Sequence, residues 1–145
     1  MANNNNNNNN TVSQFVEAEG SDAIPRMARM LLVDKTITDI NIEDYDGQTA
    51  LFYQAKHGTT GTVKWLLMQD PPPYIDVHGT YWTPLMTAAM SDTDSEGKVR
   101  LLIEYGADRE LKSLHGETVL HWAREFNMPA AVIDILENYR PDVSR

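Results

Sequence analysis

The chain has 145 residues, 41% of them hydrophobic, and carries 12 Lys and Arg against 21 Asp and Glu, a formal net charge of −9. One folded domain is expected at that length, and the acidic balance argues against the Lys and Arg stripes that nucleic acid or an anionic membrane face would require. Cys is absent, which excludes a disulfide framework and a thiolate zinc site; no apolar run approaches the roughly 18 residues that span a bilayer, and the polar N-terminus argues against a secretory signal.

Asn3 to Asn10 is a homopolymer with nothing to bury, so residues 1–11 read as a disordered tail that cannot repay its ordering entropy. Residues 12–19 and 24–34 read as a helix pair. Ser13 is the candidate N-cap of the first helix, and Asp22, after the Gly20-Ser21 break, that of the second. Met27, Met30 and Leu31 fall at i, i+3 and i+4, one apolar face.

Asp44-Tyr45-Asp46-Gly47-Gln48-Thr49 follows as a tight turn, with Gly47 supplying its positive φ, and closes on a capping Thr. A helix from Thr49 to Lys56 ends at His57-Gly58, and a second runs from Thr60 to Gln69 with Val63, Leu66 and Leu67 on one face. Trp65 in that helix reads as a packing residue. Asp70-Pro71-Pro72-Pro73 stops the helix. Thr83-Pro84-Leu85-Met86-Thr87-Ala88-Ala89 is the cleanest stretch of the chain. Thr83 caps, Pro84 suits the first helical position, and Leu85, Ala88 and Ala89 make one apolar face whose small residues allow close approach. A partner helix from Glu96 to Tyr105 ends at Gly106. A regular turn at Lys112 to Glu117 with Gly116 leads to a helix over Thr118 to Phe126, and Pro129 opens a last helix ending near Tyr139. Residues 141–145 read as a polar tail.

The capping Thr recurs at 49, 83 and 118, at spacings of 34 and 35 residues. A period of that size signals a repeat array. With Tyr105-Gly106-Ala107-Asp108 at a unit's end and Thr38-Asp39-Ile40-Asn41 as a looser copy, the chain resembles the ankyrin repeat family over about residues 12–140. The resemblance implies an all-α solenoid of helix–turn–helix units joined by β-turn or hairpin fingers. The units fall at about 12–43, 44–76, 77–112 and 113–140. The first lacks the Thr-Pro-Leu signature and reads as a cap, since an end unit meets water on one face. The finger over Asp76 to Trp82 departs from the pattern. Its Gly79 is displaced and Tyr81 stands where the family has Gly, which exposes or re-aims Tyr74, His78, Tyr81 and Trp82.

No chemistry is expected. Asp92 to Gly97 begins like a calcium loop, but position twelve, where a bidentate Glu is needed, is Ile103, a core residue, so a solvated connector is the reading. His57, His78, His115 and His121 form no i, i+4 metal pair. The resemblance implies that the His121 ring ties its unit's loop to the next. It also places Asn41 where some members carry an Asn that hydroxylases modify, though a hydrogen bond within the finger is the expected role. No phosphate loop or nucleophile elbow is present; no cofactor, metal or small-molecule substrate is expected.

The family's variable contact positions imply a protein partner held on the concave side, by Tyr45, Asp46, Gln48, Lys56 and His57 in unit two. Unit three contributes Thr80, Tyr81, Trp82, Met90 and Ser91, and unit four Leu114, His115, Glu117, Glu125 and Phe126. Trp82 stands out: it either points outward or packs on the reshaped finger and the Pro71 to Pro73 loop. The implied function is a non-catalytic adaptor or scaffold, in the cytoplasm or nucleus. A structural subunit of a larger assembly and a short inhibitor of an enzyme such as a kinase are the alternatives.

Overall fold

The computed structural model describes residues 4–18, 20–78 and 81–141. Its eight α-helices are α1 (Asn4–Val16), α2 (Ala23–Ala28), α3 (Ala50–His57), α4 (Thr60–Leu67), α5 (Pro84–Ala89), α6 (Ser95–Glu104), α7 (Val119–Glu125) and α8 (Ala130–Asn138). They form four pairs. The first helices of the pairs, α1, α3, α5 and α7, lie side by side as an inner row, and α2, α4, α6 and α8 form an outer row. Among the described residues there is no named strand, only an isolated antiparallel bridge between Lys112 and Thr118 at the base of one finger. The architecture is the all-α solenoid expected from the repeat.

Each inner helix of units two to four starts where its Thr predicts. The hydroxyls of Thr49, Thr83 and Thr118 accept from the backbone N–H of Phe52, Met86 and His121, one turn in. Thr59 and Thr62 form a reciprocal capping box at α4. The fingers before α3 and α7 are built alike. Gly47 and Gly116 hold φ of 72° and 85°, and their N–H groups donate to Asp44 and Ser113 carbonyls three residues back. The Asp44 carboxylate or the Ser113 hydroxyl collects further loop N–H groups.

The core is one continuous cluster running from Phe15 and Val16 through Leu51, Leu66, Leu85 and Leu102 to Val119, Ile135 and Leu136. All six residues of α5 are buried, because that helix is covered by α3, α6 and α7. The two Ala residues of its apolar face permit that approach. Trp65 is half-buried against the same cluster.

Polar contacts repeat with the same period. Tyr74 N donates to Asn41 Oδ1 (2.8 Å) and Asp108 N to Asp76 Oδ1 (3.0 Å), so the side chain at the head of each finger holds the next one. Leu114 N donates to Tyr81 O, the His78 ring meets Lys112 O at 3.0 Å, and Ser91 Oγ donates to Lys56 O at 2.6 Å. Gln54, fully buried, donates to Ala18 O and ties unit two to the first pair.

Several expectations are corrected. Residues 4–11, read as part of a disordered tail, fall within α1. Asn is a poor helix former, so this helix is held from its C-terminal end, where Phe15 and Val16 are buried. Ser13 lies inside α1 and does not cap it. Asp22 precedes α2 but its side chain makes no cap hydrogen bond, and α2 widens into a π turn over Arg29–Val33. The α4 helix stops at Leu67, ahead of the prolines. His121 does not reach a neighbouring loop. Its ring lies 3.5 Å from Glu117 Oε2 and edge-on to Trp122, within its own unit. Phe52 and Met86, which occupy the same register position in units two and three, are buried there. Gly79 and residues 142–145 lie outside the described residues.

Between units two and three sits a polar lock. Asp94, in the left-handed region at φ 54°, accepts from Thr60 N (2.9 Å) and Thr60 Oγ1 (2.7 Å). These hydrogen bonds, its side-chain bond to Thr60 foremost, hold the Asp94 carboxyl below its usual range. The loop that begins like a calcium site thus spends this carboxylate on the neighbouring unit. Gly97 faces Thr60 so closely that any Cβ would collide with the hydroxyl. Lys98 is fully buried, its ammonium donating to Gly58 O and Ser91 Oγ, both at 2.9 Å. Burial pulls its pKa from 10.5 down to about 8.

That shift fixes a pH dependence. Between pH 8 and 10 the unfolded chain keeps the lysine proton that the folded chain has released, so stability rises with pH in that window. The contribution is at most about 1.4 kcal/mol per pH unit. Urea denaturation of the wild type and of Lys98→Met across that window should show the wild type gaining relative to the variant. Parallel curves would refute the assignment.

Candidate functional site

The exposed flanks of three inner helices and the fingers before them enclose one groove of about 460 Å³. It is lined by Gln48, Phe52 and Lys56 from unit two, Tyr81, Trp82, Thr87 and Met90 from unit three, and His115, Trp122 and Phe126 from unit four. Phe52 and Lys56, Thr87 and Met90, and Trp122 and Phe126 are pairs three or four residues apart. Each pair therefore faces one side of its helix, and stacking aligns the three sides.

The floor is an aromatic cluster that joins two units. Trp82 lies 5.8 Å from Trp122 and 6.2 Å from Phe126 between ring centroids, and Trp122 stacks on Phe126 at 5.8 Å. His115 meets the edge of Trp122 at 6.1 Å and stacks on Tyr81 at 5.7 Å. These separations and tilts are those that aromatic quadrupoles favour. Trp122 is fixed by its indole N–H, which donates to Ser113 Oγ at 3.3 Å. The same hydroxyl gathers the N–H groups of the finger turn, so one Ser sets both the loop and the ring. Tyr81 and Phe126 remain about half exposed at 54% each.

Of the positions expected to meet a partner, Gln48, Lys56, Tyr81, Trp82, Met90, His115 and Phe126 come together here. Trp82 resolves its two readings by leaning on unit four while still lining the groove. The remaining positions lie elsewhere. Tyr45 is 82% exposed and borders a shallow depression with Val12, Ser13 and Glu43, on the side of unit one, next to exposed Asp46. His57 packs on the Tyr53 ring at 4.8 Å. Leu114 stands exposed at a finger tip, Glu117 faces His121, and Glu125 borders a shallow hollow with Leu120, His121 and Arg124. Ser91 is buried in the polar lock, and Thr80 lies outside the described residues.

Phe52, Thr87 and Trp122 join the groove without having been expected there. Trp122 was within reach of the sequence, since it stands one turn before Phe126 on the same helix face. Nothing local distinguishes Thr87, which α5 buries at its back while its position faces the groove. Among the described residues no group of three or more His, Asp or Glu side chains could hold a metal ion. No described helix is long and apolar enough to cross a membrane.

A family model for ankyrin repeats (3 copies) matches residues 1–108 and 73–145. The chain belongs to the ankyrin repeat family. Ankyrin repeat protein PAE1861 of Pyrobaculum aerophilum is 32% identical over 85 residues, 59% of this chain and 30% of that protein. The crystal structure of EF0377, an ankyrin repeat protein, superposes with a TM-score of 0.70 at 26% identity, over 90% of this chain and 64% of that one. The chain therefore spans under a third of the one relative's length and under two thirds of the other's. Ankyrin repeats are generally protein-interaction modules, and the family is typically a non-enzymatic fold.

The cluster should contribute to stability as well as shape. Trp122→Ala removes contacts to Trp82, Phe126 and His115 and should cost about 2 kcal/mol, less than a fully buried Trp. Leu114→Ala, at an exposed tip, should stay within about 0.5 kcal/mol of the wild type. Chemical denaturation of the two variants checks both values, and equal midpoints would show that the cluster carries no energy.

Proposed function

We propose that this chain is a non-catalytic protein-binding module, an adaptor or scaffold, that holds its partner in the groove between the inner helices and fingers of units two to four. The observation that carries this reading is the gathering of Tyr81, Trp82, Met90, Trp122 and Phe126 from two units into one open concavity. Aromatic side chains and Met are the groups that interface cores favour and hot spots use. Such rings lose little conformational entropy on binding, and here they are already positioned by one another and by Ser113. A preformed site of this kind lowers the ordering cost of association.

We take Trp82 and Trp122 as the anchor, because Tyr45 borders a different depression. The acidic chain charge of −9 disfavours nucleic acid as the occupant. A reducing compartment such as the cytoplasm is the proposed setting for this cysteine-free module.

Affinity capture from the native source, read by mass spectrometry, tests the reading. A partner retained by the wild type should be lost with Trp82→Ala, whose effect at a hot spot is about 2 kcal/mol, or roughly thirtyfold in affinity. It should be kept by Lys64→Ala, a change on the exposed side of α4. Retention of every captured protein by Trp82→Ala would remove the groove from the binding site.

A further inference from the structure

We infer that the groove takes an extended peptide segment in which a bulky apolar side chain is followed or preceded, within a few residues, by a carboxylate. The inference rests on the protein-binding role proposed above and specifies the chemistry of its partner.

The argument is one of charge and filling. An aromatic concavity offers two kinds of ligand a home, an apolar side chain on its faces and edges or a cation over its faces. Two observations disfavour the cation. The rings turn toward one another: Trp122 is stacked on Phe126 at an interplanar angle of 22°, and Trp82 stands at 66° to Phe126. They form one continuous surface and do not wall off a box around a charge. The second observation is the charge of the lining. Among the described lining residues Lys56 is the one Lys, Arg, Asp or Glu, and no carboxylate among the described residues lies within ion-pair distance of it. In a chain with 21 acidic residues and a net charge of −9, the groove is thus a local exception. An entering cation would meet a like charge, whereas a carboxylate would meet its complement, with Gln48 also lining the groove as a further polar group.

The two features are separated by the stack. Lys56 belongs to α3, whereas Trp122 and Phe126 belong to the α7 unit, with α5 between. Neighbouring helices pack about 8–10 Å apart, so the anchor surface and the ammonium lie on the order of 20 Å apart at most. An extended chain covers that in about six residues. The apolar anchor therefore sits over Trp82, Trp122 and Phe126, and the carboxylate reaches Lys56 from within about six residues of it.

Panning a phage-displayed library of random short peptides on the full chain tests this. Enriched peptides should carry Asp or Glu within about six residues of a Trp, Phe, Leu or Met, and should lose about tenfold or more in affinity with Trp82→Ala. Lys56→Glu should weaken them about fivefold. Replacing the peptide's carboxylate by Lys should restore binding to Lys56→Glu. Lys56 is exposed, so that variant is expected to keep the wild-type denaturation midpoint. Peptides that depend on Trp82 but are basic, or are indifferent to Lys56→Glu, would overturn the carboxylate assignment while leaving the groove as a binding site. Enrichment of no Trp82-dependent peptide would overturn both.

Discussion

Stacking of one unit on the next, in a register of about 34 residues, is the constraint from which everything else in this structure follows. A single helix pair of this size buries too little apolar surface to be stable; neighbours complete one another's core. The α5 helix shows this most directly, being buried along its whole length by α3, α6 and α7. The polar contacts obey the same rule. Asn41 to Tyr74, Asp76 to Asp108, His78 to Lys112 and Lys56 to Ser91 each join a residue to its counterpart one unit away. Because each hydrogen bond is directional, the set fixes the relative slide of adjacent units more tightly than apolar contact alone could.

The lock around Lys98 carries that logic to a costly extreme. A buried ammonium is expensive even when hydrogen-bonded, and its lowered pKa measures part of that cost. Its partners are Gly58 O from unit two and Ser91 from unit three, with Asp94 bonded in turn to Thr60. Gly97 completes the arrangement by leaving room for Thr60. The polar, acidic connector between α5 and α6 thereby becomes part of the unit interface and not a free loop.

The groove is the functional product of the same stacking. No single unit contains it. Phe52 and Lys56, Met90, and Trp122 with Phe126 lie on, or cap the end of, three different helices and meet only because those helices are neighbours in the inner row. The last unit adds its own contribution. In it α7 turns Trp122 toward Trp82, and His121 faces its own Glu117. The N-terminal pair contributes Phe15 and Val16 to the core, but none of its described residues lines the groove.

Much of this was legible in the chain itself, and the reason is physical. The Thr caps, the Pro at the first position of α5, the glycines of the fingers and the apolar spacing act over a few residues, so helix starts at 50, 84 and 119 and the fourfold array could be read locally. Periodic recurrence then implied the solenoid. What local pattern could not reach was any property that depends on two units at once. Asn4 to Asn10 carries no helical signal of its own, yet forms part of α1. Lys98 looks like a surface lysine until the Gly58 carbonyl of the neighbouring unit takes up its ammonium. Tyr45 and Trp82 are both aromatics beside a finger, but only Trp82 finds a neighbouring unit's rings to lean on. Local sequence determined the caps, turns and apolar faces of the repeated helices; the packing of successive units decided which side chains share a surface, because that depends on distances between residues some 34 positions apart.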